Sequence, residues 1–321
     1  MLGVIVRRLA LLPLILLGVA TLTFVIVAIS PFDPIRAYVG AETPISAEGR
    51  EEIARAWGLD QSEPERMIRW AGRLLQGDLG HSTMLEGRPV SEALLERAGP
   101  TLVLIGTSLA LVLVGGLIAG VLAAAFRDSW FDWLVRSVSH FNIAAPSFWV
   151  ALMALYIFSV QLNWLPAAGT TDLRGEGGTG IDLKHLILPA VTLAITQQAW
   201  FTMYIRNTLL EVMREDYVQY ATAQGIGRTA LLLRHALPNA LIPFVTLIGV
   251  NMGEIIGGSI LIETVFAWPG LGTLTRDAAL SADLPLLIAI TIIGAFFVIM
   301  GNLFADVSYR VLDPRIRETG A

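Results

Sequence analysis

Six apolar stretches constrain the fold of this chain more than any other feature. Each is close to the roughly 20 residues that an α-helix needs to cross the hydrocarbon core of a bilayer. With 55% hydrophobic and only 15% charged residues, and a mean hydropathy of +0.65, the chain lacks the polar surface of a water-soluble domain. We therefore predict an all-α integral membrane protein with six transmembrane helices. The predicted spans are residues 9–30, 100–126, 138–162, 186–206, 240–262 and 284–307.

The spans divide the chain into three parts. Residues 1–31 hold the N-terminal tail and the first transmembrane helix, and residues 32–99 form the only sizeable hydrophilic region. Residues 100–321 form a five-helix core with a polar loop at 209–238. The first helix is expected to be retained, because it is about twice as long as a signal-peptide core and Pro31 follows the cleavage-like position.

Arginine is unevenly divided between the two sides of the predicted membrane. The segments on the side of the N-terminus carry eleven arginines against eight carboxylates, whereas the remaining segments are net acidic. By the positive-inside rule, both termini and the loop at 209–238 are predicted to be cytoplasmic, and residues 32–99 extracytoplasmic. The net charge of −5 and the pI near 5.4 give no electrostatic reason to expect nucleic-acid binding.

The hydrophilic region carries signals for two helices. Ser46 and the run that ends at Gly58 predict one helix, and Ser62 with Glu65 forms a capping box that starts a second, ending near Gly77. Apolar residues of the second helix recur at helical spacing, and packing against the outer ends of the spans explains them better than substrate binding does. The prediction is a small helical cap.

The polar loop between the fourth and fifth spans also carries helix signals. Asp216 with Gln219 can form a capping box, and Gly225 can take the left-handed conformation that ends a helix, which predicts about two helical turns over residues 217–224. A second run, residues 228–237, is expected to stop at Pro238. The prediction is a compact two-turn helix presented on a basic hairpin. The alternative is an ordinary amphipathic connection between two membrane helices.

The spacing within this loop resembles a known family. Gly225 lies thirteen positions before Pro238, and this spacing is similar to the coupling loop by which membrane subunits of ABC importers dock onto a separate ATPase. The likeness is closest to the dipeptide, oligopeptide and nickel permeases, although Gln219-Tyr-Ala stands where the general importer loop has Glu-Ala-Ala. Five further segments match the family in its order: Gly-Asp-Leu-Gly at 77–80, Trp-Leu-Pro at 164–166, Glu-Thr-Val-Phe to Gly-Leu-Gly at 263–272, and the closing segments at 302–306 and 312–315.

The resemblance implies the MetI-like permease fold and a subunit that forms half of the translocation pathway of an ATP-driven importer. The implied partners are a second homologous permease, two cytoplasmic ATP-binding subunits and an extracytoplasmic substrate-binding protein, in the inner membrane of a bacterium. The cargo, whether short peptides, nickel chelates or another small solute, is not readable from this chain. The resemblance assigns ATPase coupling to Tyr217, Ala221, Ala223, Gln224, Gly225, Arg228, Arg234 and Pro238.

ATP hydrolysis is not expected on this chain. No Gly-x-x-x-x-Gly-Lys-Ser/Thr sequence occurs, and the only lysine is Lys184, so ATP and Mg²⁺ are expected on the partner subunits and no cofactor or metal here. The chain has no cysteine, and its four histidines are scattered. A secondary transporter or channel is the main alternative, but it more often shows inverted repeats and ionisable residues in several spans. A membrane-embedded receptor or scaffold is a third possibility.

Two polar pairs fall within the predicted spans. Asn251 and Glu254 share one face of the fifth span, where they can either line the translocation path or make structural hydrogen bonds to a neighbouring helix or subunit. Both interpretations stay open from the sequence. Asn302 and Asp306, near the cytoplasmic end of the last span, favour a structural role.

Overall fold

The computed structural model describes residues 2–30, 33–39, 45–171 and 181–312. Within these ranges all regular structure is helical, apart from one isolated bridge between His81 and Pro89, which confirms the all-α prediction. Two helices continue as π-helical turns: Ser147–Ala154 continues through Leu155–Gln161, and Arg228–Ala230 through Leu231–Ala236. The α-helices are α1 Leu2–Ala28, α2 Pro34–Val39, α3 Ala47–Trp57, α4 Glu63–Leu75, α5 Val90–Ala125, α6 Trp130–Ala144, α7 Ser147–Ala154, α8 Leu183–Val212, α9 Asp216–Ala223, α10 Arg228–Ala230, α11 Leu237–Val250, α12 Met252–Val265, α13 Leu271–Leu280 and α14 Leu284–Leu312.

Four of the described helices are long and apolar enough to cross a membrane. They lie in α1, α5, α8 and α14 and correspond to the predicted first, second, fourth and sixth spans. The pair of α6 and the π-extended α7 makes a fifth if it counts as one span. The structure differs from the sequence prediction at the other two spans, the third and the fifth.

The predicted third span, residues 138–162, is not one straight helix. α6 ends at Ala144 and α7 begins at Ser147, and the two segments are bent by 108°. Pro146 lies at the break, where its ring and missing N–H oppose continuation of α6. Ala145 has the extended conformation, with φ −78° and ψ 129°, that a residue before proline prefers. The proline therefore redirects the chain within the apolar stretch.

The predicted fifth span, residues 240–262, is divided between α11 and α12 at Asn251. Each helix has 14 residues, fewer than the roughly 20 that a span needs. Asn251 is buried, and its side-chain Nδ2 donates a hydrogen bond of 2.8 Å to the carbonyl of Leu247 in α11. The Leu247 carbonyl also accepts from the backbone amide of Asn251 at 3.0 Å, so the side chain adds a second bond to this carbonyl at the joint.

The described residues fall into two compact units. The first consists mainly of Leu102–Trp268 with the segment from Val298 onward, and the second of Val6–Thr101 with Pro269–Phe297. In the first unit, α8 lies at the centre of an apolar core, where its Phe201 and Ile205 are fully buried and pack with Phe244 of α11. This core supports the loop that leads from α8 to α11.

Glycines let α5 approach α8 closely in the first unit. A Cβ atom added at Gly120 would lie 2.7 Å from both the carbonyl oxygen of Thr202 and Cγ2 of Ile205, and one at Gly116 would lie 3.0 Å from Cβ of Phe201. The two glycines are four residues apart, the small-residue spacing that lets membrane helices pack backbone to backbone.

The second unit contains the predicted helical cap. The Ser46 hydroxyl caps α3 by accepting from the Gly49 amide at 3.1 Å, and Gly58 ends this helix with a φ of +68°. The capping box of Ser62 and Glu65 starts α4, as predicted.

Packing of α4 explains part of its apolar stripe. Met67 and Trp70 pack against Ala20, Phe24 and Ile288, which confirms packing against α1 and α14 for these two residues. Ile68 and Leu75 of the same stripe are exposed.

Asp283 joins two distant segments of the second unit. Its carboxylate accepts hydrogen bonds from the Ser82 hydroxyl at 2.5 Å and from the Met84 amide at 3.0 Å, and it also accepts from the Leu286 amide at the start of α14 at 3.1 Å. Asp283 is fully buried, and a buried carboxylate needs hydrogen-bond partners, which these three donors supply. The segment after the Gly-Asp-Leu-Gly turn is thereby tied to the first turn of α14.

We expect Gly120→Ala to destabilise the protein, because the added methyl group overpacks the contact between α5 and α8. Overpacking of this kind costs about 1–3 kcal/mol. Gly106→Ala in the same helix is the matched control, since no atom lies within 4 Å of a Cβ there and alanine favours a helix. Thermal unfolding in detergent should show a lower Tm for the first variant only; equal Tm values would contradict the close contact.

Candidate functional site

The loop after α8 folds into a short helix, α9, from Asp216 to Ala223. Its N-cap is Glu215, not Asp216, so the predicted capping box is wrong. The Gln219 side chain does not accept a bond from the N-cap amide; instead its Nε2 donates to the carbonyl of Arg214 at 2.9 Å. The predicted two-turn helix exists, shifted by one residue toward the N-terminus.

Gly225 ends α9 in the predicted conformation. Its φ is +83°, in the left-handed region that favours glycine. The Gly225 amide donates to the Thr222 carbonyl at 3.0 Å, and the Ile226 amide donates to the Ala221 carbonyl at 3.3 Å. These two bonds form a Schellman motif, which pairs carbonyls that the helix end would otherwise leave open.

One face of α9 packs against the rest of the hairpin. Val218 and Ala221 are buried and pack with Leu231, supported by Met213 and Ile226. Ala221 is only 7% exposed, so it shapes the inner contact of α9 and not its outer surface. The position of α9 is therefore set by a small apolar core of its own.

A hydrogen-bonded latch joins the start of α9 to the following helix. The Tyr217 hydroxyl donates to the carbonyl of His235 at 3.2 Å, and Nδ2 of Asn239 donates to the Tyr217 oxygen at 2.7 Å and to the same carbonyl at 3.0 Å. The latch and the apolar core hold α9 at both of its ends.

The helix after Gly227 does not stop at Pro238, which contradicts the sequence prediction. α10, the π-helical turn Leu231–Ala236 and α11 follow one another without a gap. Pro238 stands in the first turn of α11, where its missing N–H and fixed φ are best tolerated. The wider π-helical turn directly before it adjusts the helix to the proline.

The outward surface of the hairpin consists of polar, aromatic and basic side chains. Tyr220, which the sequence reasoning did not select, is 68% exposed and is the more exposed of the two tyrosines of α9. Arg228 and Arg234 form no ion pair with any residue that the structure describes. Exposed aromatic and arginine side chains are typical of protein-binding surfaces. The exposed residues of the predicted set are Tyr217, Ala223, Gln224, Gly225, Arg228, Arg234 and Pro238.

A buried ion pair below the hairpin was missed from the sequence. Nε and Nη2 of Arg206 in α8 donate to the two carboxylate oxygens of Asp132 in α6, at 2.6 and 2.7 Å. Asp132 is fully buried and also accepts from the Asp128 amide at 3.1 Å. The sequence did carry a signal for this pair, because Arg206 lies at the end of an apolar stretch, where an arginine needs a charged or polar partner. The pair ties α8 to α6 two turns before α8 ends.

The second predicted group of residues is only partly described. Asn251 uses its side-chain amide at the joint between α11 and α12, as described above. The side chain of Glu254 lies outside the described part of the chain.

Two of the family-like motifs serve packing in the first unit. Phe266 and Trp268, from the Glu-Thr-Val-Phe segment, are buried in one apolar cluster, against which Leu165 of the Trp-Leu-Pro turn packs. The Gly169 amide donates to the Phe266 carbonyl at 3.0 Å.

Comparison with known proteins identifies the family. The model of the family described as "Binding-protein-dependent transport system inner membrane component" matches residues 116–318. The chain belongs to this family. The resemblance noted in the sequence is thereby confirmed, and the chain is a permease subunit of an ABC importer, a multi-pass protein of the bacterial inner membrane that works with ATPase and binding-protein components.

Curated relatives match nearly the whole permease. The oligopeptide transport system permease protein AppB of Bacillus subtilis is 38% identical over 312 residues, covering 97% of this chain and 98% of AppB. The glutathione transport system permease protein GsiC of Escherichia coli O6:H1 is 36% identical, covering 98% of each chain. Among solved structures, an inward-facing form of the MetNI methionine ABC transporter aligns with a TM-score of 0.58 at 17% identity, covering 69% of this chain and 96% of that one. That similarity supports the fold alone.

We expect Gly225→Val to weaken the association of the permease with its ATPase component. A β-branched residue in the left-handed region costs about 1–2 kcal/mol, so the Schellman motif opens and α9 is misdirected. The measurement is the amount of ATPase that copurifies with the tagged permease.

Two control variants separate this effect from the loss of a glycine. Gly225→Asn should retain most of the association, because asparagine tolerates the left-handed conformation. Gly227→Val should also retain it, since Gly227 is extended, with φ −64° and ψ 148°, and has open space around it. Normal copurification of Gly225→Val would show that the end of α9 does not matter for docking.

Proposed function

We propose that this permease forms one half of the translocation pathway of an importer for short peptides, paired with a second homologous permease. The peptide cargo is supported by the printed names of the oligopeptide and glutathione permeases, each at least 36% identical over nearly the full chain. The proposed complex also contains two cytoplasmic ATP-binding subunits and an extracytoplasmic substrate-binding protein. ATP and Mg²⁺ bind the ATPase subunits, and the permease is not itself an enzyme.

The preorganised surface of α9 is the observation that carries the proposal. An eight-residue helix has marginal stability alone in water, yet α9 is capped at Gly225, packed through Val218 and latched through Tyr217. This arrangement presents Tyr220 and Gln224 outward on a fixed support. We infer that these side chains enter a groove of the ATPase, and that Arg228 and Arg234 pair with its acidic groups.

The attachment of α9 explains how a movement of the ATPase would reach the membrane helices. Residues 213–215 connect it directly to α8, and Arg206 connects α8 to α6 through the buried pair with Asp132. A displacement of α9 by the ATPase is thus passed to two membrane-associated helices together. Removal of Asp132 would leave the buried Arg206 without its ion-pair partner, whereas Asp132 has a second arginine, Arg136, at 3.7 Å. Separation of the pair is therefore costly mainly for Arg206.

For the topology, we propose six membrane passes with both termini in the cytoplasm. In this arrangement α6 and α7 form the third pass as a bent pair, and α11 and α12 together form the fifth. Helices α2 to α4 then lie on the extracytoplasmic side, where the substrate-binding protein docks. Glu254, one turn after the joint at Asn251, is proposed to line the pathway that α12 borders.

Single cysteines test this topology in a chain that has none of its own. Ser91→Cys and Thr179→Cys should react with a membrane-impermeant thiol reagent in intact cells, whereas Thr229→Cys should react only after the membrane is opened. Thr179 lies outside the described residues, and Ser91 and Thr229 are exposed. Labelling of Thr229→Cys in intact cells would reverse the orientation and remove α9 from the cytoplasm.

Peptide uptake by proteoliposomes tests the function itself. Tyr220→Ala should lower ATP-driven uptake of a labelled short peptide at least fivefold, because truncation of an aromatic hot spot costs about 1 kcal/mol or more. Phe126→Ala is the control, since Phe126 is also exposed but lies outside the hairpin. Wild-type complexes that hydrolyse ATP without moving any peptide would contradict the proposed cargo. Equal uptake by Tyr220→Ala and wild type would contradict docking through α9.

A further inference from the structure

A cavity of about 1020 Å³ lies in the second unit, where α1 ends and α14 begins. Val27 and Ala28 of the last turn of α1 and Leu284 and Pro285 of the first turn of α14 line one side of it. Both helices are candidate membrane spans. The cavity therefore lies at the level where two spans leave the bilayer, which is the level of the phospholipid headgroups.

Helix α4 lines the cavity with a basic stripe. Arg66, Arg69, Trp70 and Arg73 all border it, and their spacing places them on one face of the helix. Like charges three or four residues apart disfavour a helix. Arg69 and Arg73 form no ion pair with any residue in the described ranges. Arg69 and Arg73 therefore lack a carboxylate partner among the described residues.

Helix α3 adds two arginines whose charges are already paired. Nη2 of Arg50 donates to Asp33, the one carboxylate among the described lining residues, at 2.6 Å, and Arg55 pairs with Glu51 at 3.3 Å. Burial acts to raise the pKa of Asp33, but the hydrogen bond from Arg50 and those from two backbone amides lower it overall. Asp33 is thus ionised and occupied by Arg50, so it does not offset the charge of α4.

Two buried polar atoms in the cavity wall lack hydrogen-bond partners among the described residues. They are the indole Nε1 of Trp70, which can only donate, and Oε1 of Gln61, which can only accept. A buried polar group without a partner is costly, and most such groups in folded proteins are paired. A ligand that fits this wall carries both an anionic acceptor and a hydroxyl donor.

We propose that this cavity binds the headgroup of an anionic phospholipid, with its phosphate held by Arg69 and Arg73. The planar guanidinium group matches phosphate oxygens in a bidentate manner. The indole of Trp70 donates to the phosphate, and Gln61 accepts from a headgroup hydroxyl, such as those of phosphatidylglycerol. The acyl chains leave along the apolar side at Val27, beside a span of which only 11% is buried within the chain.

Free inorganic phosphate presents the same anionic oxygens as a lipid headgroup, but two observations favour the lipid as the ligand of this cavity. The cavity borders the ends of two spans, and it is larger than a phosphate ion needs. The inference is independent of the cargo of the permease, because lipid binding is measured without transport.

The test is a binding titration of the full-length chain, purified in a neutral detergent, with short-chain phosphatidylglycerol. Arg69→Gln with Arg73→Gln should raise the dissociation constant roughly thirtyfold, since each arginine near an anionic lipid contributes about fivefold. Arg36→Gln with Arg88→Gln removes the same charge outside the cavity and should leave the constant nearly unchanged. Phosphatidylcholine of the same chain length should bind wild type weakly.

Three outcomes would overturn the proposal. Equal phosphatidylglycerol affinity of wild type and the Arg69/Arg73 variant would exclude the basic stripe as the site. An equal loss in the Arg36/Arg88 variant would reduce the effect to surface charge. Inorganic phosphate that displaces the lipid at lipid-like concentrations would assign the cavity to the free ion instead.

A milder variant keeps the test decisive if the double arginine variant does not fold. Trp70→Phe retains the ring that packs on Ala20 and Phe24 but removes the Nε1 donor. It should weaken phosphatidylglycerol binding several-fold, as expected for the loss of one hydrogen bond to a charged group. An unchanged affinity in this folded variant would contradict the proposed contact.

Discussion

The hydrocarbon core of a bilayer offers no water to the backbone, so each interruption of a helix there has to satisfy its own amides and carbonyls. The permease meets this constraint differently at each of its breaks. At Pro146 the broken residue has no amide to satisfy, and at Asn251 a side-chain amide takes the Leu247 carbonyl. Proline thus removes a donor at the first break, and a side chain adds a hydrogen bond at the second. In the hairpin, a π-helical turn precedes Pro238 and the helix continues through it.

The same constraint explains the treatment of charge. Asp132 and Arg206 are both buried, and each would be expensive alone in a medium of low dielectric constant. Their two short hydrogen bonds, together with the Asp128 amide, satisfy the carboxylate fully. Such a pair contributes little net stability compared with an apolar contact, but it does specify one arrangement of α6 and α8. That arrangement supports α8, the helix that leads into the hairpin of α9 to α11.

Several local features were predictable from the sequence, although the capping box expected at Asp216 was wrong, and most non-local ones were not. Gly58, Gly225 and the capping box at Ser62 follow from the conformations available to a few neighbouring residues. The break at Asn251 and the pairing of Asp132 with Arg206 depend on which helices meet, and a single sequence does not encode that in any short pattern. The inward position of Ala221 has the same origin, since it follows from the contact with Leu231.

The continuation of the helix through Pro238 shows how local rules yield to packing. A proline after a helical run favours a stop, but Ala236 and Ala240 on either side of it are fully buried against the core of α8. Ending the helix there would expose that apolar surface, which outweighs one missing hydrogen bond. The continuous helix in turn gives α9 a rigid partner, because Leu231, His235 and Asn239, which pack or bond to α9, all lie on it. The proposed docking surface is thus ordered in the permease alone, and association with an ATPase there would not have to supply the entropy of folding it.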